Sequence, residues 1–493
     1  MINRYIVQIV PSSHKNTDCL ISVNHSIAIT NDKQGIAEAL AKQFIARGYH
    51  HTQVVDHVSP ASDVVIALDG LSKFSNLEEA IRCNFRVFQH AHAVAERFTQ
   101  RGGHFITVQA TGGNFSFNAN DDKNAWTGGI AALVKTASQE WPKAICQAID
   151  LEICRQSPNN LADILFQQLF KGYADVECGL LANGKVVTNQ LAILQRNTKK
   201  VAFPIDKNAV IVASGGARGI TAVCLLALAK QYQPRIILLG RTHLVEESLL
   251  TKGLLTEQEI RNTLILHHKT NQQSFTLPLI NEQTNLILAQ REIKTNLALF
   301  KTTGADVMYV TVDILNDKEL VDTLSQIRKQ YGKITGILHG AGVLADKLIA
   351  QKTEQQFERV FNTKVQGLKN ILAATHQDKI NFLILFSSVA ARFGNVGQCD
   401  YAMANEVLNK VAQQEQQNRG KTCLVKSLNW GPWESGMVTP LIKALFQQRG
   451  IGLLSTTTGT EMFLSELIDA HRQPVEVILN EGQREYELGI KRV

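Results

Sequence analysis

Residues 209–230 read AVIVASGGARGITAVCLLALAK, and this stretch is the basis of the fold prediction. The apolar residues 209–213 are typical of a buried strand, and the apolar spacing of 220–230 predicts a helix. Between them, the glycine turn 214–219 lets backbone N–H groups approach a pyrophosphate at the N-terminus of the helix. Such turns commonly have a last glycine at the position of Thr221, and this chain departs from the motif there. The stretch therefore predicts a strand, a dinucleotide-binding turn and a helix.

Strands and helices continue to alternate on the C-terminal side of this stretch. Apolar runs predict further strands at 235–239, 307–312, 334–339, 382–386 and 424–429. Helical spacing lies between them. Strands that alternate with helices at these lengths predict an α/β fold with a doubly wound parallel sheet.

A similar but shorter series of elements precedes residue 205. It includes a predicted strand at 26–30 and a helix at 35–47, but the turn between them, NDKQG, contains a single glycine. Two backbone amides do not easily close on a pyrophosphate at such a turn. We therefore predict two Rossmann-like subdomains, 1–204 without a cofactor site and 205–493 with one.

Residues 243–300 interrupt the second series. They have helical spacing at 257–266 and 284–300, and they exceed the roughly 25 residues that a direct connection needs. This segment is predicted to be a helical insertion. It is either a surface addition or an element that docks a partner.

Composition excludes several classes of protein. The 493 residues are 44% hydrophobic and 19% charged, which excludes a disordered chain and a small disulfide scaffold. The chain has no apolar run of membrane-spanning length and no signal peptide, so we expect a cytoplasmic protein without a membrane partner. The net charge of +7 comes from scattered residues, and no nucleic-acid partner is expected. The eight cysteines form no metal-binding motif, so we expect reduced thiols and no metal.

The type of cofactor is indicated by an arginine. Arg241 lies 22 residues beyond Gly219, where an NAD-binding fold offers a carboxylate to the ribose. An arginine suits a 2′-phosphate, and Arg218 is placed to join it, so NADPH is predicted. The alternative is that Arg241 is a solvated surface residue.

Other cofactor contacts are expected at the ends of the next strands. Asp313 either accepts a hydrogen bond from the adenine amine or caps the helix that begins at 316–318. His339 is interpreted as a packing or hydrogen-bonding residue. The predicted cofactor-binding residues of these segments are Ser214, Gly215, Gly216, Ala217, Arg218, Gly219, Ile220, Arg241, Asp313, Ile314, His339, Gly340, Ala341 and Gly342.

Four polar residues indicate carbonyl reduction. Ser388 follows a predicted strand, Tyr401 comes 13 residues later, and Asn405 lies four residues further on the same helix face. Tyr401 would donate a proton to the developing alkoxide while Ser388 hydrogen-bonds the same oxygen. A nearby ammonium group would favour ionisation of the phenol, and Lys364, on a predicted helix at 354–374, is the candidate.

The segment FSSVAARFGNVGQCDYAMAN, residues 386–405, resembles the short-chain dehydrogenase/reductase superfamily, specifically ketoreductase domains of type I polyketide synthases. The resemblance implies a truncated, catalytically silent subdomain before the active one. It also implies that the catalytic lysine and asparagine have exchanged places relative to most short-chain reductases. Lys364 and Asn405 fit this exchanged arrangement. The segment 429–437, NWGPWESGM, resembles the family's loop beside nicotinamide and substrate. That loop implies cofactor contacts by Pro432 and Trp433 and a substrate contact by Met437.

Two further segments, GGIAALVKTASQEWP and REIKTNLALFKTTGADVMYVTVD, are similar to ketoreductases of polyunsaturated-fatty-acid synthases. This likeness implies a 3-oxoacyl substrate on the phosphopantetheine arm of an acyl carrier protein, with other synthase components as partners. The chain is either a free-standing partner or a piece of a longer synthase.

The segment 339–346, HGAGVLAD, resembles the family's Leu-Asp-Asp loop, which accompanies the 3R alcohol. The first Asp is Ala345 here, and the second is present as Asp346. The opposite class has Trp eight residues before the catalytic Tyr, where this chain has Phe393. The alternative is that Asp346 caps the next helix.

These observations favour an NADPH-dependent 3-oxoacyl-(acyl carrier protein) ketoreductase. Two other functions stay open from the residues alone. One is a free short-chain alcohol dehydrogenase for small ketones, and the other is a dinucleotide-binding scaffold without turnover. The presence of a complete Ser/Tyr/Lys/Asn set argues against the scaffold, since a scaffold needs no proton donor.

Overall fold

The computed structural model describes residues 3–12, 21–116, 123–154, 156–170, 175–194, 205–434, 452–468 and 474–480. These residues form one sheet of 15 strands with helices packed against it. The predicted α/β fold with a mostly parallel sheet is confirmed. No helix among the described residues is long and apolar enough to cross a membrane.

The N-terminal half contributes eight strands and four helices among its described residues. The strands are β1 (Asn3–Pro11), β2 (Ile27–Thr30), β3 (Thr52–Val55), β4 (Val64–Gly70), β5 (Gly103–Gln109), β6 (Ala144–Leu151), β7 (Glu177–Leu180) and β8 (Val186–Ile193). The helices are α1 (Ile36–Ala46), α2 (Leu77–Arg101), α3 (Gly129–Glu140) and α4 (Pro158–Leu169).

The described C-terminal half contributes seven strands and eight helices. The strands are β9 (Val210–Ser214), β10 (Arg235–Gly240), β11 (Asp306–Thr311), β12 (Gly336–His339), β13 (Phe382–Ser388), β14 (Leu424–Trp430) and β15 (Glu476–Asn480). The helices are α5 (Gly219–Tyr232), α6 (Glu257–Thr270), α7 (Leu277–Lys301), α8 (Asp317–Tyr331), α9 (Glu354–Ala374), α10 (Val389–Phe393), α11 (Cys399–Arg419) and α12 (Thr456–Ile468).

The strand order shows how the two halves join. It runs β11-β10-β9-β12-β13-β14-β15-β1-β8-β7-β6-β5-β4-β2-β3. The N-terminal strand β1 lies between β15 and β8 and is antiparallel to both. A buried ion pair between Arg4 of β1 and Glu466 of α12 accompanies this pairing. The two halves therefore share one continuous sheet. The predicted boundary between residues 204 and 205 stays a prediction.

The C-terminal half has the doubly wound order that places a ligand at the carboxyl ends of its strands. Strands β9, β10, β12, β13 and β14 are parallel to one another. Their strand ends bring Ser214, Gly240, His339, Ser388 and Trp430 to one edge of the sheet. Parallel alignment of these strands is therefore what assembles the candidate site.

A buried ionic cluster connects the halves below this edge. Lys135 of α3 lies 3.2 Å from Glu177 of β7 and 3.9 Å from Glu406 of α11. Lys410 lies 2.9 Å from Glu406, and Arg392 lies 3.3 Å from Glu177. Burial disfavours the charge of Glu177, but Lys135 and Arg392 hold its pKa below the usual value. Buried charges need such partners, so the cluster fixes α11 relative to the N-terminal half.

Candidate active site

A cavity of about 640 Å³ lies at the carboxyl ends of these strands. Of the cofactor residues predicted before position 343, all line it except Gly216 and His339. Pro432 and Trp433 line it as well, as do Ser388, Tyr401 and Lys364. The structure thus brings most of the predicted cofactor residues and three of the four predicted catalytic residues into one space.

The glycine turn has the backbone geometry that close approach requires. Gly215 has φ +67°, and a Cβ there would lie 2.8 Å from Cα of Ala341. Gly340 lies so close to Thr221 that a Cβ on Gly340 would collide with the Thr221 hydroxyl. The threonine that replaces the usual last glycine is therefore accommodated by the missing side chain at Gly340.

Helix α7 contacts the glycine turn through a carboxylate that sequence reasoning missed. Glu292 accepts a hydrogen bond from the Gly219 N–H at 2.8 Å and another from Nε of Arg218 at 2.8 Å. Asn296 on the same helix donates to the Ala217 carbonyl at 2.9 Å. In this structure Arg218 is therefore paired with Glu292. The same carboxylate accepts the hydrogen bond of the Gly219 N–H, at the N-terminus of α5.

Arg241 and Asp313 both line the cavity. Arg241 lines the cavity, is exposed, and has no hydrogen-bond or ion-pair partner within the described ranges. Asp313 accepts a hydrogen bond from the Leu315 N–H at 3.0 Å. Asn316 is the residue that caps α8, through the Glu319 N–H. The alternative that Asp313 caps this helix is therefore wrong.

His339 and Gly216 support the site from below. The Nε2 of His339 donates to the Lys364 carbonyl at 2.9 Å, so its Nδ1 accepts from the Ser214 hydroxyl at 2.7 Å. Burial, together with the Lys364 charge, lowers the pKa of His339 to about 3. Gly216 lies where a Cβ would meet Leu225 of α5 at 2.8 Å. Both residues hold strands and helix together rather than facing the cavity.

Tyr401, Ser388 and Lys364 meet at the other end of the cavity. Nζ of Lys364 lies 5.7 Å from the centre of the Tyr401 ring and donates to the Phe386 carbonyl at 2.9 Å. Burial lowers the pKa of Lys364 to about 7. Burial raises the pKa of Tyr401, against an opposing hydrogen bond with Ser388. The phenol therefore stays protonated unless a positive charge acts on it.

Asn405 lies one helical turn behind Tyr401 and outside the cavity lining. Its amide nitrogen donates to the Tyr401 carbonyl at 2.8 Å, and its own carbonyl accepts from the Ser387 hydroxyl at 3.1 Å. The side-chain oxygen Oδ1 is buried and has no hydrogen-bond partner among the described residues. Because a buried polar atom needs a partner, this oxygen is suited to hold a small polar molecule such as water.

Two of the predicted substrate residues line the same cavity as Tyr401. Asp346 and Phe393 both line the cavity, and Oδ2 of Asp346 accepts from Nε2 of Gln398 at 2.9 Å. The next two helical segments have Leu348 and Thr353 at their N-caps. Asp346 therefore does not cap the next helix. The predicted contact by Met437 lies outside the described residues.

The polar groups of the site are side chains that can donate or accept protons, namely those of Tyr401, Ser388 and Lys364. Within the described ranges, no group of three or more His, Cys, Asp or Glu residues could hold a metal ion. The cavity combines a glycine turn and an arginine that has no partner among the described residues at one end with a phenol, a hydroxyl and a lysine amino group at the other. These groups suit proton transfer to a carbonyl oxygen next to a bound dinucleotide.

Comparison with known proteins agrees with this geometry. Residues 209–435 match the model of the KR domain. A polyunsaturated fatty acid synthase of Thraustochytrium sp. is 30% identical over 391 residues, covering 76% of this chain and 14% of that protein. The polyketide synthase PksL of Bacillus subtilis is 24% identical over 475 residues, covering 92% of this chain and 9% of that protein. The chain therefore spans a small part of these relatives.

A solved ketoreductase domain from the bacillaene assembly line superposes with a TM-score of 0.70 at 19% identity. The superposition covers 99% of both chains. At this level of identity, the likeness concerns the fold, and it extends over both halves.

Replacing Lys364 by Met tests the lowered pKa. Below pH 7 the folded, ligand-free chain carries the full cost of a buried ammonium, and this cost decreases as the pH rises from 7 towards 10.5. Lys364→Met should therefore stabilise the chain most at pH 7, and its advantage should shrink by up to about 1.4 kcal/mol per pH unit. Denaturant titrations between pH 7 and pH 10 measure this. The exposed Lys329→Met is the control, and an advantage of Lys364→Met that does not change with pH would contradict the assignment.

Proposed function

The chain belongs to the KR domain family through residues 209–435, and from this premise we propose that it is an NADPH-dependent ketoreductase. Its substrate is a 3-oxoacyl chain carried by an acyl carrier protein, and its product is the 3-hydroxyacyl chain. The setting is polyketide or polyunsaturated-fatty-acid synthesis. The observation that carries this proposal is the meeting of Ser388, Tyr401 and Lys364 in the cavity that the glycine turn opens into.

The residues present fit a dinucleotide. Gly215 and Gly340 leave room where side chains would block the turn, and Arg241 is free to receive a 2′-phosphate. Pro432 and Trp433 border the end of the cavity near the catalytic group. When bound, NADPH supplies the hydride for the ketone carbon.

The chain's own residues supply the proton. The Tyr401 hydroxyl donates its proton to the ketone oxygen, and Ser388 holds that oxygen by a hydrogen bond. Because burial raises the pKa of Tyr401, proton loss depends on the nearby Lys364 ammonium. The Lys364 ammonium would then give a proton back to the Tyr401 phenolate, and a water on the unpaired Oδ1 of Asn405 would return a proton to the Lys364 amine.

The proposed entry of a carrier-bound substrate rests on the loop of Asp346. Asp346 and Phe393 line the cavity, and Gln398 fixes this loop by its hydrogen bond to Asp346. A fixed loop at the border of the cavity suits a long phosphopantetheine arm that enters from one side. The partners are an acyl carrier protein and the other components of a synthase.

Tyr401→Phe tests the function. The variant should lose at least about a hundredfold in turnover of a 3-oxoacyl thioester, because no other group is placed to donate the proton. Its affinity for NADPH, measured by fluorescence, should stay within about twofold of the wild type. Tyr331→Phe is the matched control. Unimpaired reduction by Tyr401→Phe would remove this residue from the mechanism, and a preference for small ketones over the carrier-linked thioester would favour an alcohol dehydrogenase.

Arg241→Ala tests the choice of cofactor. A charge-assisted phosphate contact contributes about 1.5–3 kcal/mol, so the KM for NADPH should rise roughly tenfold to a hundredfold while that for NADH stays nearly unchanged. Arg82→Ala, on the exposed face of α2, controls for the loss of one positive charge. Equal catalytic efficiency of the wild type with NADPH and NADH would contradict the proposal.

Glu292→Gln tests the carboxylate at the glycine turn. Glu292 competes with phosphate for the Gly219 N–H and Arg218, so removal of its charge should lower the Kd for NADPH severalfold. Glu282→Gln removes a charge from the same helix away from the turn and should leave the Kd unchanged. Weaker NADPH binding by Glu292→Gln would mean that the carboxylate orients Arg218 instead.

The stereochemistry of the product tests the substrate loop. The fixed loop of Asp346 presents one face of the ketone to a hydride of fixed position, and the 3R alcohol is expected. Chiral chromatography of the reduced 3-oxoacyl thioester measures the ratio. Predominantly 3S product would show that the acyl chain lies on the other side of Tyr401.

A further inference from the structure

The N-terminal half, which lacks a cofactor turn, reaches the substrate side of the active site through one carboxylate. Glu140 is the last residue of α3. Its Oε2 accepts a hydrogen bond from the Ile349 N–H at 2.7 Å, and its Oε1 accepts one from the Gly397 N–H at 2.8 Å. Both oxygens of one side chain are therefore used, and each is used by a different loop.

These two loops form the border of the acyl end of the cavity. Ile349 follows the loop of Asp346, and Gly397 lies four residues before Tyr401. The loops also bond to each other, because the Lys347 N–H donates to the Gly397 carbonyl at 2.9 Å. Glu140 thus holds the loop of Asp346 and the start of α11, which carries Tyr401, at a fixed separation.

A buried ion pair between Lys352 and Asp400 also connects these two loops. Nζ of Lys352 lies 2.7 Å from Oδ2 of Asp400 and 2.8 Å from the Ala345 carbonyl. The other oxygen of Asp400 accepts from the Tyr401 N–H at 2.8 Å. Lys352 and Asp400, both in the C-terminal half, therefore connect the backbone before Asp346 to the first turn of α11. Glu140, in the N-terminal half, contacts the same two loops.

Neighbours of Glu140 on α3 extend the contact. Gln139 donates to the Phe393 carbonyl at 2.6 Å, and the Asn395 N–H donates to the Thr136 hydroxyl at 3.3 Å. A Cβ on Gly394 would lie 2.6 Å from the Lys135 backbone. The whole loop between α10 and α11 is thus laid against α3.

We propose that Glu140 is a positioning residue for the substrate, which sets the gap between the Asp346 loop and Tyr401 and thereby the face of the ketone that is reduced. The inference rests on the proposed ketoreductase function. Each N–H group bonds a different oxygen of Glu140. In this geometry a glutamine would keep one of the two bonds and place its NH2 group, a donor, against the other N–H. The N-terminal half then contributes to selectivity as well as to packing.

Hydrogen exchange tests the geometry without any assay of turnover. In Glu140→Gln, amides of peptides covering 343–352 and 394–400 should exchange about tenfold faster, because one of the two bonds is lost. Peptides of β9 and α5 should not change, and Glu96→Gln on α2 is the matched control. Unchanged exchange in both peptides would overturn the proposal. If Glu140→Gln does not fold, Glu140→Asp, which retains the charge on a shorter side chain, should accelerate the same two peptides.

Kinetics and product analysis test the consequence. Glu140→Gln should raise the KM for a 3-oxoacyl thioester severalfold and lower the excess of the major alcohol, while the Kd for NADPH remains that of the wild type. A residue with a purely structural role would lower the melting temperature without changing the ratio of alcohols, and that outcome would overturn the proposal. Absence of reduction by the wild type would refute the proposed function instead, and the exchange experiment would still test Glu140.

Discussion

The packing of α3 against α11 is the contact on which the candidate site depends. Helix α11 is buried along most of its length, although it carries many polar residues. Gly129 of α3 permits this, since a Cβ there would lie 2.8 Å from the Met403 carbonyl, and the ionic cluster around Lys135 neutralises the acidic side chains of α11. These contacts with the N-terminal half hold α11, and Tyr401 with it, in place.

Much of the catalytic half could be predicted from the sequence because its signals are local. The glycine turn lies between an apolar strand and a helix, and α9 with Lys364 was predicted with its observed bounds, Glu354–Ala374. The pairing of β1 with β15 was missed, because its residues are more than 400 positions apart and an antiparallel partner leaves no mark in a local pattern. Glu140 and Glu292 were missed for a related reason, since a single acidic residue on a helix is usually a solvated one.

The glycine turn shows how a departure from a motif is compensated by tertiary contacts. Thr221 replaces a glycine, and the space it needs is supplied by Gly340 on the neighbouring strand end. Glu292 comes from α7, within the stretch that the sequence predicted as an insertion, and it bonds to the turn rather than lying on a remote surface. The interpretation of this stretch as a surface addition is therefore incomplete, because its last helix forms part of the cavity wall.

The proposed reaction transfers a hydride from a nicotinamide to C3 of a 3-oxoacyl thioester. Reduction of a carrier-linked 3-oxoacyl chain with NADPH that carries deuterium at both hydrogen positions of nicotinamide C4 tests this reaction most directly. We expect a 3-hydroxyacyl product with one deuterium at C3, detected by mass spectrometry. A product without deuterium at C3, or no product from the folded, NADPH-binding protein, would contradict it.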